Sequence, residues 1–104
     1  MGVLDDKVAI VTGSARGIGR ATAELLSEHG AKVLINDLDG DVAEQTASEI
    51  AGETVVYGGD LTASGACDEL VRTAADAWGK IDIIVNNAGY TIDGAIHKLS
   101  LIHI

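Results

Sequence analysis

Apolar residues along this 104-residue chain follow two alternating patterns. Lys7 to Thr12 contains the unbroken run Val8-Ala9-Ile10-Val11, the pattern of a strand buried on both faces of a parallel sheet. Further strands are predicted over Lys32 to Asn36, over Val55-Val56-Tyr57 and over Ile81 to Val85. Between them the period changes to that of a helix. Ile18, Ala21, Thr22, Leu25 and Leu26 fall on one helical face, and Gly30 is placed to end that helix. Asp41 to Ile50 reads as a second helix, with Asp39 or Asp41 near its N-terminus and Gly52 closing it. Ser64 to Trp78 reads as a third, presenting Leu70, Val71, Ala74, Ala77 and Trp78 on one face, with Gly79 after it. Strands separated by helices imply an α/β fold with a parallel sheet and right-handed crossovers. The first two helices then lie on one face and the third on the other. In the usual doubly wound order the strands lie 3-2-1-4, and a crevice opens where strands 1 and 4 diverge.

The turn after the first strand carries the first chemistry. Thr12-Gly13-Ser14-Ala15-Arg16-Gly17-Ile18-Gly19 runs from the strand end into a helix start, the setting of a phosphate-binding loop. Gly13 can turn the chain sharply, with positive φ if needed. Gly17 lets the backbone approach a pyrophosphate, and Gly19 lets the helix pack closely on the strand. The free N–H groups at the helix start and the positive end of its dipole favour an anion there. The spacing is G-x-x-x-G-x-G, not G-x-G-x-x-G.

This loop resembles the T-G-x-x-x-G-x-G cofactor loop of the short-chain dehydrogenase/reductase family. Three further matches stand in the family's order: Asp37 after the second strand, Asp60-Leu61 after the third, and Asn86-Asn87-Ala88-Gly89 after the fourth. The resemblance runs from about Lys7 to about Lys98 and implies a Rossmann-like domain binding a nicotinamide dinucleotide. The cofactor-binding residues it implies are Gly13, Ser14, Arg16, Gly17, Ile18, Gly19, Asp37, Asp60, Leu61, Asn87, Ala88 and Gly89. Asp37 lies eighteen positions after Gly19, where a carboxylate can accept bonds from both hydroxyls of the adenosine ribose. Its charge would repel a 2′-phosphate, so it favours NAD over NADP; Arg16, a basic residue in the loop, pulls the other way. The cost of a carboxylate beside a dianionic phosphate decides for NAD. By resemblance the Asp60 carboxylate faces the adenine amino group and the Leu61 backbone contacts the ring; an Asp capping the turn before Ser64 is the alternative. The small residues of Asn86-Asn87-Ala88-Gly89 let the backbone approach the cofactor, while the Asn amides can tie neighbouring strands together.

Relatives transfer hydride with a tyrosine and lysine in a Y-x-x-x-K helix, the lysine and nicotinamide charge lowering the tyrosine pKa. Leu61 stands four positions after Tyr57 and Gly94 four after Tyr90, so neither tyrosine fits and no catalytic residue is assigned. The expected function is hydride transfer between NAD(P) and a carbonyl or secondary alcohol, present as an N-terminal fragment that is inactive alone. A non-catalytic NAD-binding remnant or interaction module is the alternative. Asp93 to Lys98 weakly resembles the 3-oxoacyl-thioester reductase branch, and the substrate is not legible. The apolar end, Leu99 to Ile104, departs from the family pattern. In a sheet truncated to four strands, Ile81 to Val85 would be an unpaired apolar edge, which predicts a homo-oligomer, misfolding or dependence on another polypeptide. One domain, residues 1–104, is expected.

The remaining composition narrows the picture little further. A net charge of −9 with scattered basic residues argues against nucleic acid or an anionic membrane as partner. A single cysteine, Cys67, excludes an internal disulfide framework and suits a reducing compartment. With no apolar stretch near the ~20 residues of a bilayer span and no signal-peptide h-region, a cytoplasmic location is expected. His97 and His103 lack the companions of a metal site and read as surface or tail residues.

Overall fold

Each apolar run forms a strand because alternate side chains meet a helix layer on opposite faces of one sheet. A computed structural model of the chain describes residues 3–61, 63–87 and 102–103. In it β1 (Val8–Val11), β2 (Lys32–Asp37), β3 (Thr54–Gly58), β4 (Ile83–Val85) and β5 (Ile102–His103) form a parallel sheet of order β3-β2-β1-β4-β5. Helices α1 (Gly17–Glu28), α2 (Gly40–Glu49) and α3 (Ala66–Trp78) connect the first four strands. The doubly wound order 3-2-1-4 with three helices is therefore present, with one further strand beside β4. Ala88, Gly89, Tyr90 and the segment Asp93 to Lys98 lie outside the described residues.

The sheet separates two cores. Val11, Val33 and Ile35 pack with Ala23 of α1 and Ala43 of α2. On the opposite face Ile10, Leu34 and Ile84 pack with Leu70 and Ala74 of α3. Two helices on one face and one on the other is the arrangement that right-handed crossovers require. Full burial of a side chain such as Leu70 contributes about 2–3 kcal/mol.

The edge expected to be open is paired. β5 lies parallel to β4 with Ile83 opposite Ile102 and Ile84 opposite His103, so the segment read as a departure from pattern supplies a strand. Backbone groups of β4 find partners there, which removes the premise for pairing between copies through Ile83 and Ile84.

Two helix boundaries and one helix face also differ from expectation. α3 begins at Ala66, after Gly65 in the left-handed region at φ 81°, not at Ser64. α2 ends at Glu49 with Ile50 as its cap, so Gly52 does not close it. On α1 the buried residues are Gly19 and Ala23, whereas Ile18 and Leu25 are 79% and 54% exposed and Ala21 is exposed too. The small-residue face wins because α1 must come within backbone contact of the turn after β1. A Cβ on Gly19 would run into the Gly13 carbonyl group. On α3, Ala66, Leu70 and Ala74 face the sheet and Ala77 is exposed. Gly30 and Gly79 do terminate their helices, at φ 103° and 77°.

Candidate functional site

All strands run parallel, so the ends of β1, β2, β3 and β4 bring their following loops to one edge of the sheet. The chain steps outward from β1 to β2 and β3, then returns to β4. This leaves a switch point between β1 and β4, the place where open α/β sheets take ligands.

The Thr12–Gly19 turn follows β1 at that switch point and is held from β2, from the end of β4 and from α2. Gly13 takes φ +61°, as a sharp turn demands; its N–H donates to Asn36 Oδ1 at 3.3 Å, and its carbonyl accepts from Asn87 Nδ2 at 3.1 Å. Ser14 donates its N–H to the Asn36 carbonyl at 2.7 Å, and its Oγ accepts the Asn36 N–H at 2.9 Å. The Ser14 hydroxyl is therefore buried against β2 and turned away from the crevice. The Ala15 carbonyl accepts from Thr46 Oγ1 of α2 at 2.7 Å. Thr12 donates its N–H to the Val85 carbonyl at 3.1 Å and its Oγ1 to Asn86 Oδ1 at 3.3 Å. The two asparagines after β4 thus tie that strand to β1, as their amides suggested.

Among the described residues, no side chain caps the N-terminus of α1. Its capping residue, Arg16, is exposed and makes no side-chain cap, and no acidic residue stands in the first turn. α2 shows the contrast within the same chain. There Asp39 Oδ1 accepts the N–H groups of Asp41 and Val42 at 3.0 and 3.3 Å, and Asp41 adds a carboxylate to the first turn. An uncapped, carboxylate-free first turn leaves N–H groups and the positive dipole end to an anion. Gly17 has φ +63°, and a Cβ there would meet nothing within 4 Å. The turn is therefore open at Gly17 among the described residues.

Asp37 ends β2 beside this turn, half-buried and opposite Gly58 of β3. Its Oδ1 accepts the Asp39 N–H at 3.3 Å, and its carbonyl accepts the Gly59 N–H at 2.9 Å. Leu38, next to it, is 63% exposed, and Ile18 in the glycine turn is exposed as well. Asp60 follows β3 and is exposed, its carbonyl accepting from the Ala63 N–H at 3.1 Å. Leu61 is buried in the core under α3, so only its backbone is placed to reach a ligand. Asn36 and Thr46 were not singled out in the sequence. Their signal was a polar residue closing the otherwise apolar Val33-Leu34-Ile35, and a threonine on a helix face shared with Ala43.

Tyr57 and Cys67 are both shifted away from their reactive forms. Burial raises the Tyr57 pKa, reinforced by its 3.1 Å hydrogen bond to Glu69, the opposite of what an acid/base tyrosine needs. Burial, then Asp68, pushes the Cys67 thiol up, away from thiolate. Among the described residues there is no cluster of three His, Cys, Asp or Glu that could hold a metal, and no helix long and apolar enough to cross a membrane. A cavity of about 320 Å³ lies by the C-terminal ends of α1 and α2; Glu24, Glu28 and Glu49 line it and make it hostile to phosphate.

A doubly wound α/β sheet with a glycine turn at its switch point defines the architectural class. Within it, the short chain dehydrogenase family matches residues 7–104, and the chain belongs to that family. A sorbitol dehydrogenase of Cereibacter sphaeroides is 47% identical over 85 residues, covering 82% of this chain and 33% of the relative. Among solved structures, a hydroxysteroid dehydrogenase from Escherichia coli superposes with TM-score 0.79 at 37% identity over 83% of this chain and 36% of that one. A 7α-hydroxysteroid dehydrogenase in complex with NADH and 7-oxo glycochenodeoxycholic acid gives TM-score 0.76 at 35% identity, over 80% and 34% of the two chains. The chain thus spans about a third of the length of these relatives, and matches their N-terminal part.

Proposed function

We propose that residues 1–104 are the cofactor-binding part of an NAD-dependent oxidoreductase. The observation that carries this reading is the α1 N-terminus: uncapped, free of carboxylates, and approached through the open space at Gly17. The pyrophosphate takes the N–H groups of Gly17, Ile18 and Gly19, with Arg16 at the rim and Gly13 and Ser14 shaping the turn. Asp37 takes the adenosine ribose, and its charge selects NAD over NADP. Asp60 and the Leu61 backbone border the adenine, between the apolar side chains of Leu38 and Ile18. Asn87, with Ala88 and Gly89 after it, forms the β4 side of the site. The dinucleotide supplies the hydride chemistry of the nicotinamide. One relative of the fold binds NADH, which supports a nicotinamide cofactor here.

Hydride transfer to a carbonyl, or from a secondary alcohol, is the activity the family supports for the whole protein. The 104 residues contain no tyrosine followed four positions later by lysine, so these residues alone bind cofactor without turnover. Calorimetric titration with NAD and NADP tests the first half: NAD binds at least tenfold more tightly. An absorbance assay with a ketone panel tests the second, where measurable NADH oxidation by this chain would overturn the claim of inactivity.

A further inference from the structure

Four polar residues are buried among the described residues, Thr12, Ser14, Asn36 and Thr46, and each is bonded to or part of the Thr12–Ala15 turn. Burying polar groups is costly, and apolar side chains would serve general stability as well. Their concentration on four residues means that they specify the shape of that turn. Asn36 is the hub. β1 leaves the sheet after Val11, so the backbone of Asn36 would lose its partners on that side. Ser14 folds back to supply them, through its N–H at 2.7 Å and its Oγ at 2.9 Å. The Asn36 amide then works in two directions. Oδ1 accepts the Gly13 N–H at 3.3 Å, and Nδ2 donates to the Tyr57 carbonyl at 2.8 Å. Tyr57 leads through Gly58 and Gly59 to Asp60, and Gly59 returns a bond to the Asp37 carbonyl at 2.9 Å.

We infer that Asn36 is a positioning residue for dinucleotide binding: its amide locks Gly13 in the left-handed conformation and fixes the phosphate turn against the ends of β2 and β3. The inference rests on the reading of this crevice as a dinucleotide site. Asn36 makes no contact with the ligand in this account; it acts through Gly13. The adenosine end keeps the backbone ladder of β2 with β3 and the Gly59 bond to the Asp37 carbonyl without the amide, so the amide's contribution reaches ligands that carry the pyrophosphate and spares those that occupy only the adenosine end.

Asn36→Leu removes both amide bonds while keeping a side chain of similar shape, and two measurements on the 104-residue chain decide the matter. In the ligand-free protein, amide hydrogen exchange at Gly13 accelerates about tenfold, the loss of one hydrogen bond, while Ile10, Leu34 and Ile84 stay within about twofold of wild type. In NMR titrations the variant loses about tenfold in ADP affinity and keeps adenosine affinity within about twofold. Uniform acceleration across the sheet, unchanged exchange at Gly13, or equal loss of ADP and adenosine would each overturn the positioning role. Should Asn36→Leu not fold, Asn36→Ala takes the same measurements, and failure of both to fold makes the amide a folding element and overturns the inference. Wild-type protein that binds neither ADP nor adenosine refutes the dinucleotide reading itself, a result separate from any difference between variants.

Discussion

Gly17 and Gly19 stand two residues apart in one turn, yet alanine at each position has a different consequence. At Gly19 the new Cβ falls on the Gly13 carbonyl group and lies 2.7 Å from Asn87 Nδ2. The first obstacle is backbone, so relief requires α1 to lift from the turn. A clash with backbone stands at the upper end of overpacking costs, about 2–3 kcal/mol, against about 1 kcal/mol recovered from the better helix propensity of alanine. The clash wins because α1 is anchored below Gly19 by buried Ala23. At Gly17 the Cβ meets nothing within 4 Å, and the cost is the left-handed backbone at φ +63°, about 1–2 kcal/mol, less up to about 1 kcal/mol that alanine gains over glycine. That Cβ points instead into the space assigned to the pyrophosphate. Gly19→Ala therefore lowers stability by about 1–2 kcal/mol in urea unfolding, a fall in Tm of several degrees for a domain of this size. Gly17→Ala costs no more than about 1 kcal/mol and loses NAD affinity by at least about tenfold. NAD binding unchanged in Gly17→Ala would refute the placement of the phosphate, and Gly19→Ala as stable as wild type would refute the packing argument.

Asp37→Ser removes the charge that opposes a 2′-phosphate, so the NAD-to-NADP affinity ratio falls by about tenfold in calorimetry, mostly through a gain for NADP. Thr46→Val leaves the buried Ala15 carbonyl without its 2.7 Å partner and costs about 1–2 kcal/mol in urea unfolding, with faster amide exchange in the turn as its local signature. Asp82 supplies a pH signature. Burial alone would raise its pKa, but the Val8 N–H at 2.9 Å and Lys80 at 3.2 Å outweigh that and hold it below the ordinary carboxylate value of 3.8. A depressed folded pKa gives stability that is full above the unfolded pKa and fades as pH falls through the folded one. Asp82→Asn accordingly costs about 1 kcal/mol at pH 7 and shows a shallower loss of stability below about pH 4 than wild type.

The strands, the helices and their order were legible because the apolar runs of β1 and β2 are buried on both faces of the sheet, where sequence pattern and burial coincide, and β3 and β4 repeat the pattern in half-buried or shorter form. The glycine turn was legible for a related reason. Gly13 and Gly19 each meet a constraint that favours glycine, a positive φ in one case and backbone contact in the other. The inward face of α1 was not legible, because side-chain size points to Ile18 and Leu25 while the close approach to Gly13 selects Gly19 and Ala23. β5 was hidden for want of a companion signal: Ile102 and His103 form only a two-residue strand. Asn36 was not legible because its role depends on β1 ending three residues before Ser14 folds back, a feature of the register between strands rather than of local sequence. Asp39 as the α2 cap was one of two candidates, and its bonds to Asp41 and Val42 decide between them.

The central claim is that one edge of the sheet, from the glycine turn to the asparagines after β4, receives a dinucleotide. An NMR titration of the ¹⁵N-labelled chain with NAD tests it most directly. The account predicts shift changes at Gly13, Gly17, Ile18, Gly19, Asp37, Asp60 and Asn87, with Glu28 and Gly52 at the far cavity unmoved. Shifts confined to the α1 and α2 C-terminal ends, or no shifts at millimolar NAD, would contradict it.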